Sequence, residues 1–397
     1  LEIKIEMKSS VRNSAYTKLY NRKLIMGIIH REPVSRAELA RKTGLTRAAV
    51  SIIVDELISD GIVMEKGVAE AELGRKPVLL DINPDSYYAF GLNISRGKCS
   101  LGIVNLKGEL KARKEINLLN ALNADEALNI IIKEIKEMPV ETDIAPEKLL
   151  GLGISTPGPV DVFSGTILNP PNFDMWKNVS ITAELKKEFS YNILLENNSV
   201  ALALAEKNYG LGKKFSNFIL IVVDNGIGSG VVINNRLYRG FGGFGGEIGH
   251  TTINVNGERC SCGNIGCLEL YASIPVAVRR ARKHDPAIIS WSDIVDRAES
   301  GDKDCLNIIE EEAWYLSSGI VNAVNILEIE AVVLTGDISY RHGLILDGLC
   351  KYVNERAITR NVHRTGLYIS GLVNDADVIA AATTVIDSFI HLITDRY

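Results

Sequence analysis

Residues 240–269 read GFGGFGGEIGHTTINVNGERCSCGNIGCLE, and no other stretch of this 397-residue chain resembles them. Cys260, Cys262 and Cys267 fall within eight residues, behind His250, with Gly263 and Gly266 between them. Zinc takes four soft or borderline ligands at tetrahedral corners, and glycine turns let a short loop bring thiolates round one ion. Reduced core cysteines, or a disulfide with a spare thiol, are the alternative. The polar, glycine-punctuated setting of half of the chain's six cysteines favours metal. Glu247 and Glu269 flank the ligands, where carboxylates can accept hydrogen bonds from the hydroxyls of a polar ligand.

Working outward, the length predicts two or three domains. A composition of 46% hydrophobic and 23% charged residues is that of a folded protein. No apolar run reaches the roughly 18 residues of a membrane span and no apolar signal core is present, so a cytoplasmic protein with no membrane partner is expected. In that compartment clustered cysteines point to metal, and Cys99, Cys305 and Cys350 read as buried or inert.

The net charge of −5 is unevenly spread. Residues 1–80 hold 14 Lys and Arg against 10 Asp and Glu, and the rest 30 against 39, which is +4 and −9. From Lys8 to Arg47 ten basic residues face two acidic ones, Glu32 and Glu38. A polyanion partner for this end is one reading, and a solvated helical face is the other.

Between Tyr16 and Ile29 apolar residues recur at helical spacing (Leu19, Ile25, Ile28, Ile29) up to Pro33. Ser35 and Glu38 form a predicted capping box at the start of a second helix. Thr43-Gly44-Leu45 turns sharply, and Thr46 caps a third helix that buries Val50, Ile53 and Leu57 and exposes Arg47, Ala48 and Ser51. Strands over Ile62–Lys66 and Arg75–Leu80 follow. Helix, glycine turn, helix, then a basic-tipped hairpin predicts a winged helix-turn-helix over residues 1–82, a plain helical hairpin being the alternative. Its candidate DNA contacts are Ser35, Arg36, Thr46, Arg47, Ala48, Ser51, Arg75 and Lys76.

Residues 83–397 alternate strands and helices: an alternating hairpin over Tyr88–Ile94 and Lys98–Leu106, helix Asp125–Lys136, and strands Leu149–Ile154 and Asn192–Leu195. Helix Ser199–Tyr209 and strands Phe218–Val223, Gly230–Ile233 and Ala331–Leu334 complete the pattern. Two α/β lobes with a cleft between them are expected. Gly226-Ile227-Gly228-Ser229-Gly230 is placed in a turn, where it either cradles an anion or makes a tight hairpin. Thr335-Gly336-Asp337 is equally open.

Gly246-Glu247-Ile248-Gly249-His250 and Cys260-x-Cys262-Gly263-x-x-Gly266-Cys267-x-Glu269 resemble both signatures of the ROK family (repressors, open reading frames, sugar kinases). The chain is similar to the family's long form, including its xylose repressors, over nearly its whole length. That resemblance implies an α/β fold in which a winged helix-turn-helix precedes a two-lobed, actin-like sugar-kinase-type domain with its zinc knuckle at 250–267. It implies zinc on His250, Cys260, Cys262 and Cys267, and sugar contacts from Asn172, Asn197, Glu247, His250 and Glu269. His250 would serve metal and sugar through its two ring nitrogens.

Two departures stand out. The kinases of the family carry Glu-Asn-Asp, the aspartate acting as base; here Glu196-Asn197 is followed by Asn198. Loss of a general base costs about 100-fold to 10,000-fold in rate. Their first phosphate loop, Asp-x-Gly-Gly-Thr, reads Asn93-Ile94-Ser95-Arg96-Gly97, without the carboxylate or the paired glycines. The resemblance with these losses implies a repressor of carbohydrate-utilisation genes without catalysis. Its partners would be palindromic operator DNA, a monosaccharide effector such as xylose or glucose, and a second copy of itself in a homodimer or larger homo-oligomer. An active ATP-dependent hexose kinase with an added DNA-binding domain is the alternative, and a zinc-stabilised assembly protein is the third.

Overall fold

The computed structural model describes residues 14–68, 77–96, 98–372 and 374–391. Arg75, Lys76 and Gly97 lie outside the described residues. The chain divides into two compact units, one of Leu1–Tyr88, Asn105–Lys107 and Ile386–Tyr397, the other of Ala89–Val104 and Gly108–Val385.

The first unit runs α1 (Ser14–Arg31), β1 (Val34–Ser35), α2 (Arg36–Thr43), α3 (Arg47–Ser59), β2 (Val63–Val68) and β3 (Val78–Ile82). Ile25, Ile29, Leu39, Val50, Ile53 and Leu57 form its core, whereas Leu19, from the same apolar series, is 47% exposed. Gly44 takes a left-handed φ of 72° and its N–H closes α2 on Ala40 O. Only half of the expected capping box forms. Ser35 Oγ accepts the Glu38 N–H at 3.2 Å, but the Glu38 carboxylate turns to Arg41 and Lys42, whose charges outcompete a neutral amide. β1, which the spacing does not announce, pairs antiparallel with β3, giving the sheet order β1-β3-β2. The unit is tied internally by two buried polar groups. Asp81 accepts Lys66 and Lys107, and His30 Nε2 lies 2.9 Å from Leu106 O. Burial first, and then the charge of His391, pushes the His30 pKa down to about 3.

The second unit is built from β4 (Tyr88–Ser95), β5 (Lys98–Asn105), β6 (Leu110–Ile116), α4 (Ala124–Glu141), β7 (Leu149–Thr156), β8 (Val160–Asp161), β9 (Thr166–Ile167), α5 (Ile181–Lys186), β10 (Asn192–Asn197) and α6 (Asn198–Tyr209). It continues with β11 (Phe218–Val223), β12 (Ile227–Ile233), β13 (Arg236–Tyr238), α7 (Glu269–Ala272), α8 (Ile274–Ala281), α9 (Trp291–Glu299), α10 (Lys303–Leu327), β14 (Ala331–Thr335), α11 (Gly343–Arg356), β15 (Gly366–Ile369) and α12 (Ala376–Ile390), whose residues from Ile386 on count with the first unit. Two five-stranded sheets result, ordered β10-β7-β4-β5-β6 and β13-β12-β11-β14-β15.

β4 is buried at every residue but its last, and does not alternate as expected, because both faces of its sheet are covered. One cover is α12. A Cβ on Gly91 would fall 2.0 Å from Val378 O, and one on Gly153 1.8 Å from Ala381 O, so helix backbone lies directly on strand backbone. The glycines of 226–230 differ in part from the sequence reading, which already opened a strand at Gly230. Only Asp224–Gly226 make the turn; Gly228 and Gly230 are inside β12, where a Cβ would meet Ser199 Oγ at 2.2 Å and Ala203 Cβ at 2.4 Å. They let α6 press onto β12. The 25-residue α10 has no counterpart in the sequence reading, although Ile309, Ala313, Leu316, Ile320 and Val324 form a buried stripe at helical spacing.

Candidate functional site: a cysteine-histidine cluster beside paired carboxylates

The donor atoms of His250, Cys260, Cys262 and Cys267 all lie within 4.8 Å of one another. His250 Nδ1 is 3.7 Å from Cys260 Sγ, and Cys262 Sγ is 3.7 Å from Cys267 Sγ. A tetrahedral zinc ion with Zn–S near 2.3 Å and Zn–N near 2.0 Å sets adjacent donors roughly 3.5–3.8 Å apart, so these residues fit the ion. The loop is held by its own backbone: Cys260 N–H bonds Asn264 O, Gly266 N–H bonds Glu258 O, and Asn264 Nδ2 donates to His250 O. Gly266, at φ 64°, leaves no space for a Cβ, which would fall 1.7 Å from Asn254 O. The Cys262 thiol is lowered, first by the backbone N–H of Asn264, while burial pushes Cys267 up to about 12. A bound cation would reverse the latter by stabilising the thiolate. Cys99 and Cys305 are buried, and burial raises them to about 12 and about 11, values that make them inert.

With Nδ1 of His250 turned to Cys260, Nε2 remains for another partner. Glu247 opens the short turn that carries His250, and its carboxyl is raised, first by desolvation and then by Glu269, with His250 opposing. Glu269 begins α7, and its Oε2 accepts the Ile227 N–H at 3.0 Å. These three residues form the part of the predicted sugar set that the fold brings together beside the cluster. Asn197 caps α6, its Oδ1 accepting the Ser199 N–H at 2.9 Å. Asn172 sits in a left-handed turn at φ 54° and is exposed. Among the described contacts none joins Asn172 to the other four.

Sequence reasoning passed over three residues. Arg239, at the base of the glycine loop, pairs with the buried Glu196 beside Asn197. Arg96, inside the altered phosphate loop, donates Nε and Nη2 to Pro171 O at 3.0 and 2.6 Å, next to Asn172. Arg113 binds Asp375 and Asp377 at 3.0 and 2.8 Å, while Asn93 bonds Ser155 and Asp377. The partners of Arg239 and Arg113 lie 43 and 264 residues away, so spacing offers no signal. Asn198 Oδ1 accepts the Ser199 N–H at 2.8 Å.

In the first unit Ser35 and Thr46 are spent as helix caps, and Arg36 is held by Asp55 and Glu65. Arg47 and Ala48 are exposed, and Ser51 is half-buried on the same helix.

The family model described as the ROK family matches residues 89–388. The chain belongs to the ROK family. It is 31% identical to the xylose repressor of Bacillus subtilis (strain 168) over 385 residues, 97% of this chain and 99% of that protein. It is 28% identical to a glucokinase of Thermotoga maritima, over 74% of this chain and 96% of the kinase. A solved ROK family transcriptional regulator, described as a homolog of the E. coli MLC protein, superposes with a TM-score of 0.81 at 26% identity, covering 94% of this chain and 97% of that one. The second unit thus has the actin-like sugar-kinase fold of the ROK family. No helix among the described residues is long and apolar enough to cross a membrane.

Proposed function

We propose that this ROK protein is a sugar-responsive repressor of carbohydrate-utilisation genes that works in the cytoplasm. The observation that carries the reading is a converging cysteine-histidine cluster with neighbouring carboxylates in a chain whose Glu196-Asn197-Asn198 segment has an amide at the position of the base. Zinc on His250, Cys260, Cys262 and Cys267 would supply a rigid frame for the sugar residues. Asn172, Asn197, Glu247, His250 and Glu269 would bind the hydroxyls of a monosaccharide such as xylose or glucose. An amide at 198 cannot take a proton near neutral pH, and the first phosphate loop lacks its carboxylate and paired glycines, Arg96 within it being bonded to Pro171 O. The protein therefore binds sugar without phosphorylating it.

The first unit carries the marks of a winged helix-turn-helix. α3 carries Arg47, Ala48 and Ser51, which together with Ser35, Arg36, Thr46, Arg75 and Lys76 would contact DNA. A homodimer or higher oligomer would present two such units to a palindromic operator. Sugar shifts the equilibrium by its preference for one of two states.

Two assays test this. Fluorescence anisotropy on upstream DNA, with and without a monosaccharide panel, should show a sugar-dependent change in affinity. A coupled phosphorylation assay should show no turnover. Brisk phosphorylation of any monosaccharide would establish the kinase alternative instead.

A further inference from the structure

Among the described contacts nothing joins Asn172 to the rest of the predicted sugar set, so its placement comes from elsewhere. It lies in the second unit, in a turn anchored at both ends. Pro170 and Phe173 are buried, Phe173 stacks on the buried Trp176 with ring centroids 6.4 Å apart, and Asn178 N–H returns to Leu168 O at 2.7 Å. Between these anchors Pro171 and Asn172 stand exposed.

The peptide unit joining Pro171 to Asn172 sets how that tip is presented. Rotating it moves Pro171 O and the φ of Asn172 together, and that φ is 54°, a left-handed value that asparagine tolerates better than most residues. Proline has no N–H, so neither Pro170 nor Pro171 can brace the turn by donating a hydrogen bond. The brace comes from Arg96, 75 residues earlier, in the turn between β4 and β5. Its Nε and Nη2 both donate to Pro171 O, at 3.0 and 2.6 Å, and among the described contacts that carbonyl has no other donor. Arg96 has no ion pair among the described residues, whereas Arg113 and Arg239 in the same unit are held by carboxylates. Its charge therefore goes to a neutral carbonyl, and two N–H groups from one rigid fork fix the orientation of that peptide as a single donor does not.

We infer that Arg96 is a positioning residue for the effector: it clamps the Pro171–Asn172 peptide in the orientation that presents the Asn172 amide to the sugar. The inference rests on the sugar reading of Asn172. Arg96 acts without touching the ligand, by removing rotational freedom that the turn would otherwise lose on binding, and a site ordered in advance binds more tightly for that reason.

Full-length protein and the variants Arg96→Ala, Arg96→Lys, Asn172→Gly and Arg96→Ala/Asn172→Gly are titrated by calorimetry with D-xylose and with D-glucose. Glycine at 172 removes the amide and accepts the positive φ without strain. Arg96→Ala is expected to weaken the better-binding sugar by about tenfold, and Arg96→Lys, a point charge in place of a fork, to recover part of that loss. Asn172→Gly should cost at least as much, and the double variant no more than Asn172→Gly alone, because the clamp matters only through the amide it presents. An arginine that merely stabilises the fold gives additive losses instead. Hydrogen exchange over residues 168–176, read by mass spectrometry without ligand, measures the clamp directly. Faster exchange at Asn172 and Phe173 in Arg96→Ala, with other segments unchanged, is the expected result. Equal sugar affinity in Arg96→Ala and the parent, additive losses in the double variant, or unchanged exchange over 168–176 overturns the inference. If neither sugar binds the parent protein, it is the sugar reading that fails, and the exchange measurement alone then decides the clamp.

Discussion

Arg239 Nε and Nη2 both donate to Glu196 Oε2, at 3.1 and 3.0 Å, and the other oxygen of that carboxylate accepts the Asn197 N–H. The Glu196 side chain is only 4% exposed. A single ion pair therefore links the end of β10, which carries Asn197, to the glycine loop that leads into Glu247. Removing one partner of a buried pair leaves an uncompensated charge at a cost of about 3–5 kcal/mol. Arg239→Ala should lower thermal stability and weaken sugar binding together, and Arg239→Lys should restore only part of either. Unchanged affinity for sugar in a folded Arg239→Ala protein would separate this pair from the site.

Metal removal should act on the pocket as well as on the fold. Chelation, or Cys262→Ser, should release about one zinc per chain, lower the melting temperature and abolish the sugar response. Elemental analysis alongside the DNA-binding assay reads all three. A metal-free protein that still responds to sugar would show that the knuckle does not shape the site.

Glu312 is fully buried, with Oε2 on Arg280 Nη2 at 2.6 Å and Oε1 without a hydrogen bond. Burial raises its pKa from 4.5 to about 8, against the pull of Arg280. The folded chain keeps this proton where the unfolded chain has lost it, so the stability it contributes is full below about pH 4.5. It falls as pH rises and is gone above about 8, with a slope up to about 1.4 kcal/mol per unit. Glu312→Gln should flatten that slope in denaturant melts run across this range.

Gly230→Ala should destabilise the second unit by about 1–3 kcal/mol, because the added methyl collides with Ala203 Cβ and with Ser199 O, and backbone cannot turn aside. Gly44→Ala acts by a different route. Its added carbon meets nothing within 4 Å, and the loss there comes from a left-handed φ alone.

Arg47→Ala should weaken operator binding by about 1–3 kcal/mol, since Arg47 is exposed at the start of α3. Arg36→Ala should affect affinity less, because its guanidinium is engaged by Asp55 and Glu65. Equal effects in anisotropy titrations would mean that Arg36 leaves those carboxylates on DNA.

Local patterns determined much of this protein. Three cysteines and a histidine at short spacing already mark the loop whose donor atoms converge, because glycine turns fold so short a stretch back on itself. Thr43-Gly44-Leu45 and the apolar spacing of α3 were legible for the same reason: a cap, a left-handed turn and a helical stripe are settled within a few residues. What only the tertiary structure decided concerns partners distant along the chain. Arg239 finds Glu196, Arg113 finds Asp377, and residues 105–107 and 386–391 join the first unit, because sheet order and helix packing set those meetings. The glycines of β12 show the limit most plainly. The sequence leaves Gly228 in a turn and opens a strand at Gly230; pairing with β11 puts both inside β12, and the close approach of α6, a contact no local spacing encodes, is what leaves room only for glycine there.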